Sequence, residues 1–330
     1  MPQTVDQIYG AAAAAGARPD PLLTISEWAD QYRVLSTRAS AEPGPWRTDR
    51  TPYLREIMDC LSPSSQLERV VFMKGAQVGA TECGNNWIGF VIHQAPGPMM
   101  AVQPTVEMAK RNSKQRIDPL IEESEVLRKL VRDPRSRDSG NTVLAKEFAG
   151  GVLVMTGANS AVGLRSMAAR YLFLDEVDGY PGDVDGEGDP VNLALARTRT
   201  FARRKVFVVS TPKVTGLSRI EATFEESDQR RYWVPCPQCG EFQTLKFAQV
   251  TWPKSKPKEA VYICEHCAAR IENHDKHSML TRGEWRPSAV GDGRTAGFHL
   301  SSLYSPVGWF SWADAAKAFD QAQKNPSLLQ

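Results

Sequence analysis

Arg69-Val-Val-Phe-Met-Lys74-Gly-Ala-Gln-Val-Gly79-Ala-Thr81 decides the architecture. Residues 69–73 read as a buried strand, because a continuous apolar run leaves no solvent-facing side. A small-residue turn follows, and a helical stretch starts near Gly79 and ends before Pro96. Strand, glycine-bearing turn and helix, in that order, are the setting of a phosphate-binding loop with the usual pattern G-x-x-x-x-G-K-[ST]. Gly79 and Thr81 take the second-glycine and Ser/Thr positions; Ala80 stands where the lysine is usual, and Lys74 fills the first position instead. The chemistry survives that shift, because the loop wraps the phosphates and its two ends approach the same oxygens. The backbone N–H groups of Gly75, Ala76, Gln77, Val78, Gly79 and Ala80, with the helix N-terminus, supply an anion site whatever the side chains. Thr81 is then expected on Mg²⁺, and Lys74 on the β/γ charge of ATP. On its own this is also an ordinary strand-to-helix turn, so further elements must decide.

The second element is Leu172-Phe-Leu-Asp175-Glu176, an apolar strand ending in two carboxylates, 94 residues after Thr81. A strand end beside the loop places Asp175 near Mg²⁺ and makes Glu176 the base that orients and activates water. The competing reading is a solvated acidic turn, since Asp178, Asp183, Asp185, Glu187 and Asp189 follow closely. The third element is Val208-Val-Ser210-Thr211-Pro212, where Ser210 and Thr211 can hydrogen-bond toward the γ-phosphate and relay its loss. Between them, Gly157–Ser166 is a small-residue loop that suits DNA contacts, an arginine (Arg165) reaching a neighbouring active site, or plain mobility.

Around these elements strands and helices alternate. Met99–Val102 reads as a strand, 105–130 as helices, Val143–Phe148 with Gly151–Thr156 as a hairpin, and Val206–Val209 as the last clear strand of the block. Asp189-Pro190 starts a helix with a cap followed by proline. Continuous apolar strands separated by helices imply an α/β fold, a P-loop NTPase of RecA-like type with a mostly parallel sheet flanked by helices. Residues 1–45 read as an N-terminal arm carrying one short helix over Thr24–Tyr32, 46–233 as the ATPase domain, and 271–330 as a C-terminal segment ending in a helix near Trp312–Gln323.

Polar sequence at 234–270 carries Cys236-Pro-Gln-Cys239 and Cys264-Glu-His-Cys267, with 24 residues between the pairs. Two C-x-x-C turns supply four thiolates for tetrahedral zinc in a ribbon, inserted or appended, and leave no open position for catalysis. His266 is a bystander in this reading, and Cys60 and Cys83 are core residues. The balance of 40 basic against 38 acidic residues gives +2, which neither announces nor excludes a nucleic-acid partner. A 42% hydrophobic content is enough for a large core. No apolar run approaches the ~20 residues of a membrane-spanning helix, and the start lacks the features of a signal peptide, so the chain reads as cytoplasmic without a membrane partner.

Together these residues resemble the large terminase subunits of lambda-like phages. The match runs from Gly44–Met58 through Lys74–Thr81, Gln103–Ala109, Asn159–Ser166, Asp175–Asp178 and Ser210–Pro212 to the cysteine pairs and Gly297–Pro306. The displaced lysine is a habit of that family. The resemblance implies an ATP-driven motor, using ATP and Mg²⁺ and carrying Zn²⁺, that translocates double-stranded DNA into a capsid. It implies a homo-oligomeric ring at the portal, a small terminase subunit as guide, and residence in the host cytoplasm. It also implies Tyr53 near adenine and Arg165 acting on phosphates of its own or a neighbouring subunit. The family continues into a nuclease domain, and since the sequence stops at Gln330, no DNA cleavage is expected of it.

Two other readings compete. A helicase-like ATPase usually needs two tandem motor domains, whereas one loop, one acidic pair and one Ser-Thr-Pro occur here. A non-catalytic zinc-ribbon DNA-binding protein is suggested by Ala80. DNA contact is expected through phosphates, with Arg199, Arg203, Arg204, Lys205, Arg230 and Arg231 as candidates.

Overall fold

The computed structural model describes residues 22–38, 40–131, 140–214 and 216–323. The Ala11–Ala15 run and about half of the predicted arm lie outside these residues. The arm's described part is packed rather than loose. Helix α1 (Ile25–Tyr32) starts at a Thr24–Glu27 capping box, and Ile25, Trp28 and Ala29 are fully buried. A two-residue ladder of β1 (Val34–Leu35) and β2 (Gly44–Pro45) follows, then α2 (Leu54–Cys60).

The predicted alternation appears as β3 (Arg69–Lys74), α3 (Ala80–His93), β4 (Pro98–Gln103), α4 (Val106–Asn112), α5 (Asp118–Glu123) and α6 (Glu125–Leu130). A π-helical turn over Ser113–Ile117 joins α4 to α5. The hairpin is β5 (Ala145–Phe148) and β6 (Gly151–Gly157), followed by α7 (Ala161–Arg165), β7 (Tyr171–Asp175), α8 (Pro190–Ala196), β8 (Lys205–Ser210) and α9 (Arg219–Glu225). Asp189 caps α8 by accepting the Asn192 N–H.

Beyond α9 come β9 (Arg230–Pro235), β10 (Phe242–Gln243), β11 (Val250–Thr251), β12 (Val261–Ile263) and β13 (Arg270–Ile271). Next are α10 (Lys276–Thr281), β14 (Glu284–Arg286), β15 (Thr295–Leu300) and α11 (Trp312–Gln323). The main sheet runs β10-β9-β15-β3-β8-β7-β4-β6-β5, with β14 beside β9, and β11-β12-β13 form a separate small sheet. The central pairs from β9 to β6 are parallel, while β5, β10 and β14 pair antiparallel.

The main sheet continues beyond β8, the last clear strand of the predicted block: β15, from the 271–330 segment, lies between β9 and β3. That placement is non-local: strand order depends on crossovers that periodicity does not encode.

Alternate residues of each central strand feed opposite cores. Val70, Phe72, Phe173, Phe207 and Val209 meet α1, α2 and α3 on one face. Val71, Met73, Leu172, Leu174 and Val208 meet residues 158–194 and α9 on the other. Burial on both faces is why these strands read as unbroken apolar runs. Each buried Phe or Leu contributes about 1.5–3 kcal/mol. Among the described residues no helix is long and apolar enough to cross a membrane.

His299 of β15 makes the fold sensitive to acid. Burial first, and the Arg231 cation second, hold its imidazole down at about 4. An unfolded His titrates near 6.5, so between about pH 6.5 and 4 the unfolded chain binds more protons. Stability is therefore full above about pH 6.5 and falls as the pH drops toward 4. Thermal melts across that range should show a shallower acid limb in His299→Gln than in the wild type; parallel limbs would remove His299 as a cause.

Candidate nucleotide site and cysteine cluster

Neighbouring strands β15, β3, β8, β7 and β4 present their carboxyl ends on one edge, where open α/β sheets place ligands. Register brings Leu300 opposite Lys74, Met73 opposite Ser210, and Asp175 opposite Val209.

The turn after β3 uses left-handed backbone at Gln77 (φ 59°) and Gly79 (φ 80°). Gly79 caps α3, so the turn delivers the chain to a helix N-terminus. At residue 75 a Cβ would lie 2.4 Å from Ser302 Oγ and 2.5 Å from Ser302 N, so only glycine fits. The strap after β15 grips this turn: Gly75 N–H donates to Leu300 O, Ser302 Oγ to Ala76 O, and Ser305 Oγ to Gln77 O. A cavity of about 580 Å³ lies over the turn, walled by Lys74, Gly79, Thr81, Arg116, Glu42 and Trp309 among others.

Lys74 ties three elements together. Its Nζ donates to Glu176 Oε1 at 2.6 Å and to Thr211 Oγ1 at 2.9 Å. Glu176 holds left-handed backbone (φ 56°), a strain of roughly 1–2 kcal/mol for a residue with a Cβ. Such residues cluster at functional sites. Asp175 is buried, and burial pushes its carboxyl up to about 6 against the opposing Gln103 hydrogen bond. Gln103 Nε2 donates to Asp175 Oδ2 at 3.1 Å, while Oδ1 is buried without a hydrogen-bond partner. An orphaned buried carboxylate oxygen costs on the order of 1–3 kcal/mol, and a divalent cation would relieve it. The donor set therefore fits Mg²⁺.

Several expected residues stand elsewhere. Tyr53, which the resemblance puts near adenine, is fully buried, its ring edge-on to Tyr232 at 6.0 Å, and is not among the residues that wall the cavity. Its position on the core side of α2's N-terminus explains this. Arg165 ion-pairs with Glu187 at 2.9 Å and is not among the residues that wall the cavity. Ser210 is fully buried, accepts the Asp178 N–H and donates to Thr211 O, so it faces the acidic turn rather than the cavity. Lys205 is buried and donates to the carbonyls of Ser65 and Leu67, while Arg230 pairs with Asp228 and Glu56. Both are fold ties rather than open cations.

Three residues were not legible as site residues. Gln103 steadies Asp175. Asp178 accepts the N–H groups of Lys213 and Ile220, fastening the acidic turn to the segment after β8. Arg116, on the π-helical turn, is the arginine on the cavity wall, paired at 3.0 Å with Glu82 next to Thr81. The Gln103–Ala109 and Asp175–Asp178 stretches of the resemblance were the signals for Gln103 and Asp178, and Arg116 had none.

The cysteines converge as expected. Their Sγ atoms lie within 4.8 Å of one another, with Cys236–Cys267 and Cys239–Cys264 both at 3.9 Å. Tetrahedral bonds of about 2.3 Å put sulfurs about 3.8 Å apart. N–H groups of Gln238 and His266 point at Cys236 Sγ and Cys264 Sγ at 3.4 Å. The donor set fits Zn²⁺. His266 reaches Phe242 O instead, and Cys60 and Cys83 are buried.

A family model described as phage terminase large subunit gpA, ATPase domain, matches residues 40–285. The terminase large subunit of Enterobacteria phage P21 is 29% identical over 330 residues, covering 91% of this chain and 50% of its own length. That of Escherichia phage lambda is 27% identical over 324 residues, covering 91% and 50%. The chain thus spans about half the length of these curated relatives. The crystal structure of the HK97 bacteriophage large terminase superposes with a TM-score of 0.55 at 11% identity, covering 92% of this chain and 53% of that one, a likeness of fold.

Proposed function

Since the chain belongs to the family of phage terminase large subunit gpA ATPase domains, we propose that it is the ATP-hydrolysing motor of a DNA-packaging terminase, moving double-stranded DNA into a capsid. The observation that carries this reading is the contact of Lys74 with both Glu176 and Thr211 beneath a cavity of nucleotide size.

Gly75–Ala80 and the α3 N-terminus cradle the phosphates, and Lys74 neutralises their β/γ charge. Thr81 and Asp175 hold Mg²⁺, which supplies charge neutralisation on the phosphate oxygens when bound. Glu176 takes a proton from water aligned on the γ-phosphate. Departure of the phosphate is felt at Thr211, which shares Lys74 with Glu176, and passes through Asp178 to α9. Cys236, Cys239, Cys264 and Cys267 hold a structural Zn²⁺. Arg165, more than a third exposed, serves a neighbouring subunit of a ring rather than its own. The portal, a small terminase subunit and the host cytoplasm complete the setting.

The test is steady-state ATP hydrolysis with and without duplex DNA over a salt series. Turnover that DNA stimulates, with stimulation falling steeply as salt rises, is expected, since a packaging motor must grip phosphates of any sequence. Turnover indifferent to DNA would reduce the reading to a generic ATPase. Strand separation of a forked duplex would favour a helicase.

A further inference from the structure

We propose that Trp309, on the strap after β15, is the base-side wall of the nucleotide site, and that the nucleobase stacks on its indole. The proposal rests on the phosphate-loop reading above.

Trp309 walls the cavity over the loop and also a smaller one of about 100 Å³ that shares Glu42 and Gly79 with it and reaches Pro43, Pro45 and Trp46. One end of the combined space is polar, at Lys74 and Thr81, and the other carries Pro43, Pro45, Trp46 and Trp309 together with Arg47 and Arg50. A nucleoside triphosphate carries the same division. The ring abuts the loop itself: its Cζ3 lies 3.9 Å from where a Cβ on Gly79 would be.

The indole is held for this purpose. Trp309 Nε1 donates to Glu42 Oε1 at 2.9 Å. Arg50 grips the same carboxylate at 2.9 and 2.7 Å and donates to Val307 O at 2.8 Å. The Arg50 guanidinium also lies over the indole, 5.4 Å from its centroid. With its N–H satisfied inside the protein, the ring offers the ligand only π-surface, which binds by stacking and dispersion. The Glu42–Arg50 pair fixes the rotamer in advance, so little side-chain freedom is lost when a base arrives. Tyr53, buried against Tyr232, offers no such surface. Trp309 also lies outside the 40–285 stretch that matches the family model.

Calorimetry with MgATP and with inorganic tripolyphosphate, on wild type, Trp309→Ala and Trp309→Phe, separates base from phosphate binding. Loss of base stacking is expected to weaken ATP about tenfold in Trp309→Ala. Tripolyphosphate should stay within about twofold, and Trp309→Phe should keep most of the ATP affinity. The proposal is overturned if Trp309→Ala binds ATP like the wild type. It is equally overturned if both ligands weaken together, for then the ring merely props the loop. A wild type that binds neither ligand overturns the phosphate-loop reading itself, a result distinct from either.

Discussion

Glu176→Gln lowers kcat for ATP by about 10³-fold and leaves ATP binding intact, because general-base catalysis contributes on the order of 10²–10⁴. The substitution keeps the side chain's shape and its place beside Lys74 and Thr211, and removes only the ability to accept a proton. Binding should hold or tighten slightly. Lys74 Nζ lies 2.6 Å from Glu176 Oε1, and a neutral amide competes less well with phosphate for that ammonium. The pairing of a lost kcat with a retained Kd distinguishes a base from a residue that builds the pocket. Single-turnover hydrolysis and equilibrium ATP binding check it, with a melting curve to show that the fold is kept. A Gln variant that turns over ATP near the wild-type rate would leave water activation to another group.

Stripping the metal from the cysteine cluster produces the second large effect. Structural zinc in small peptides is bound with about 10–16 kcal/mol, and this ribbon has little strand pairing of its own, its strands β10, β11 and β13 being two residues each. The loss should not stay local. Tyr262 of the ribbon packs on Trp312, and Phe247 and Trp252 on Phe319, so α11 leans on the ribbon. β10 pairs with β9, which pairs with β15. A zinc chelator, or Cys264→Ser, should therefore lower the melting temperature by about 10 °C or more. Elemental analysis should find one zinc per chain before treatment. A metal-free protein with an unchanged melting temperature would leave the cluster as four thiols.

The two-faced burial of the central strands made most of the sheet readable, since Val70 to Met73 and Leu172 to Leu174 have no polar alternative. Lys74, Asp175, Glu176 and the four cysteines stood out as candidates because their chemistry is local to a strand end or a tight turn. What was not readable is set by tertiary crossing. Nothing in Thr295–Leu300 says that it will lie between β9 and β3. Gln103, Arg116 and Trp309 gain their places only because strands and loops distant in sequence end at one edge. Tyr53 and Arg165 were carried over by resemblance, and the packing of Tyr53 on Tyr232 and the pairing of Arg165 with Glu187 turn both from the cavity of their own chain.

That late strand also sets an order of assembly. A ribosome extends the chain at about 5–20 residues per second, so β3 and its loop wait on the order of ten seconds or more before Leu300 and Ser302 exist to brace them. Until then the edge of β3 that β15 will cover is unpaired, an invitation to wrong partners. The loop after β3 is braced last although it is written early, and in a nascent chain its strap is missing until the ribbon has been made.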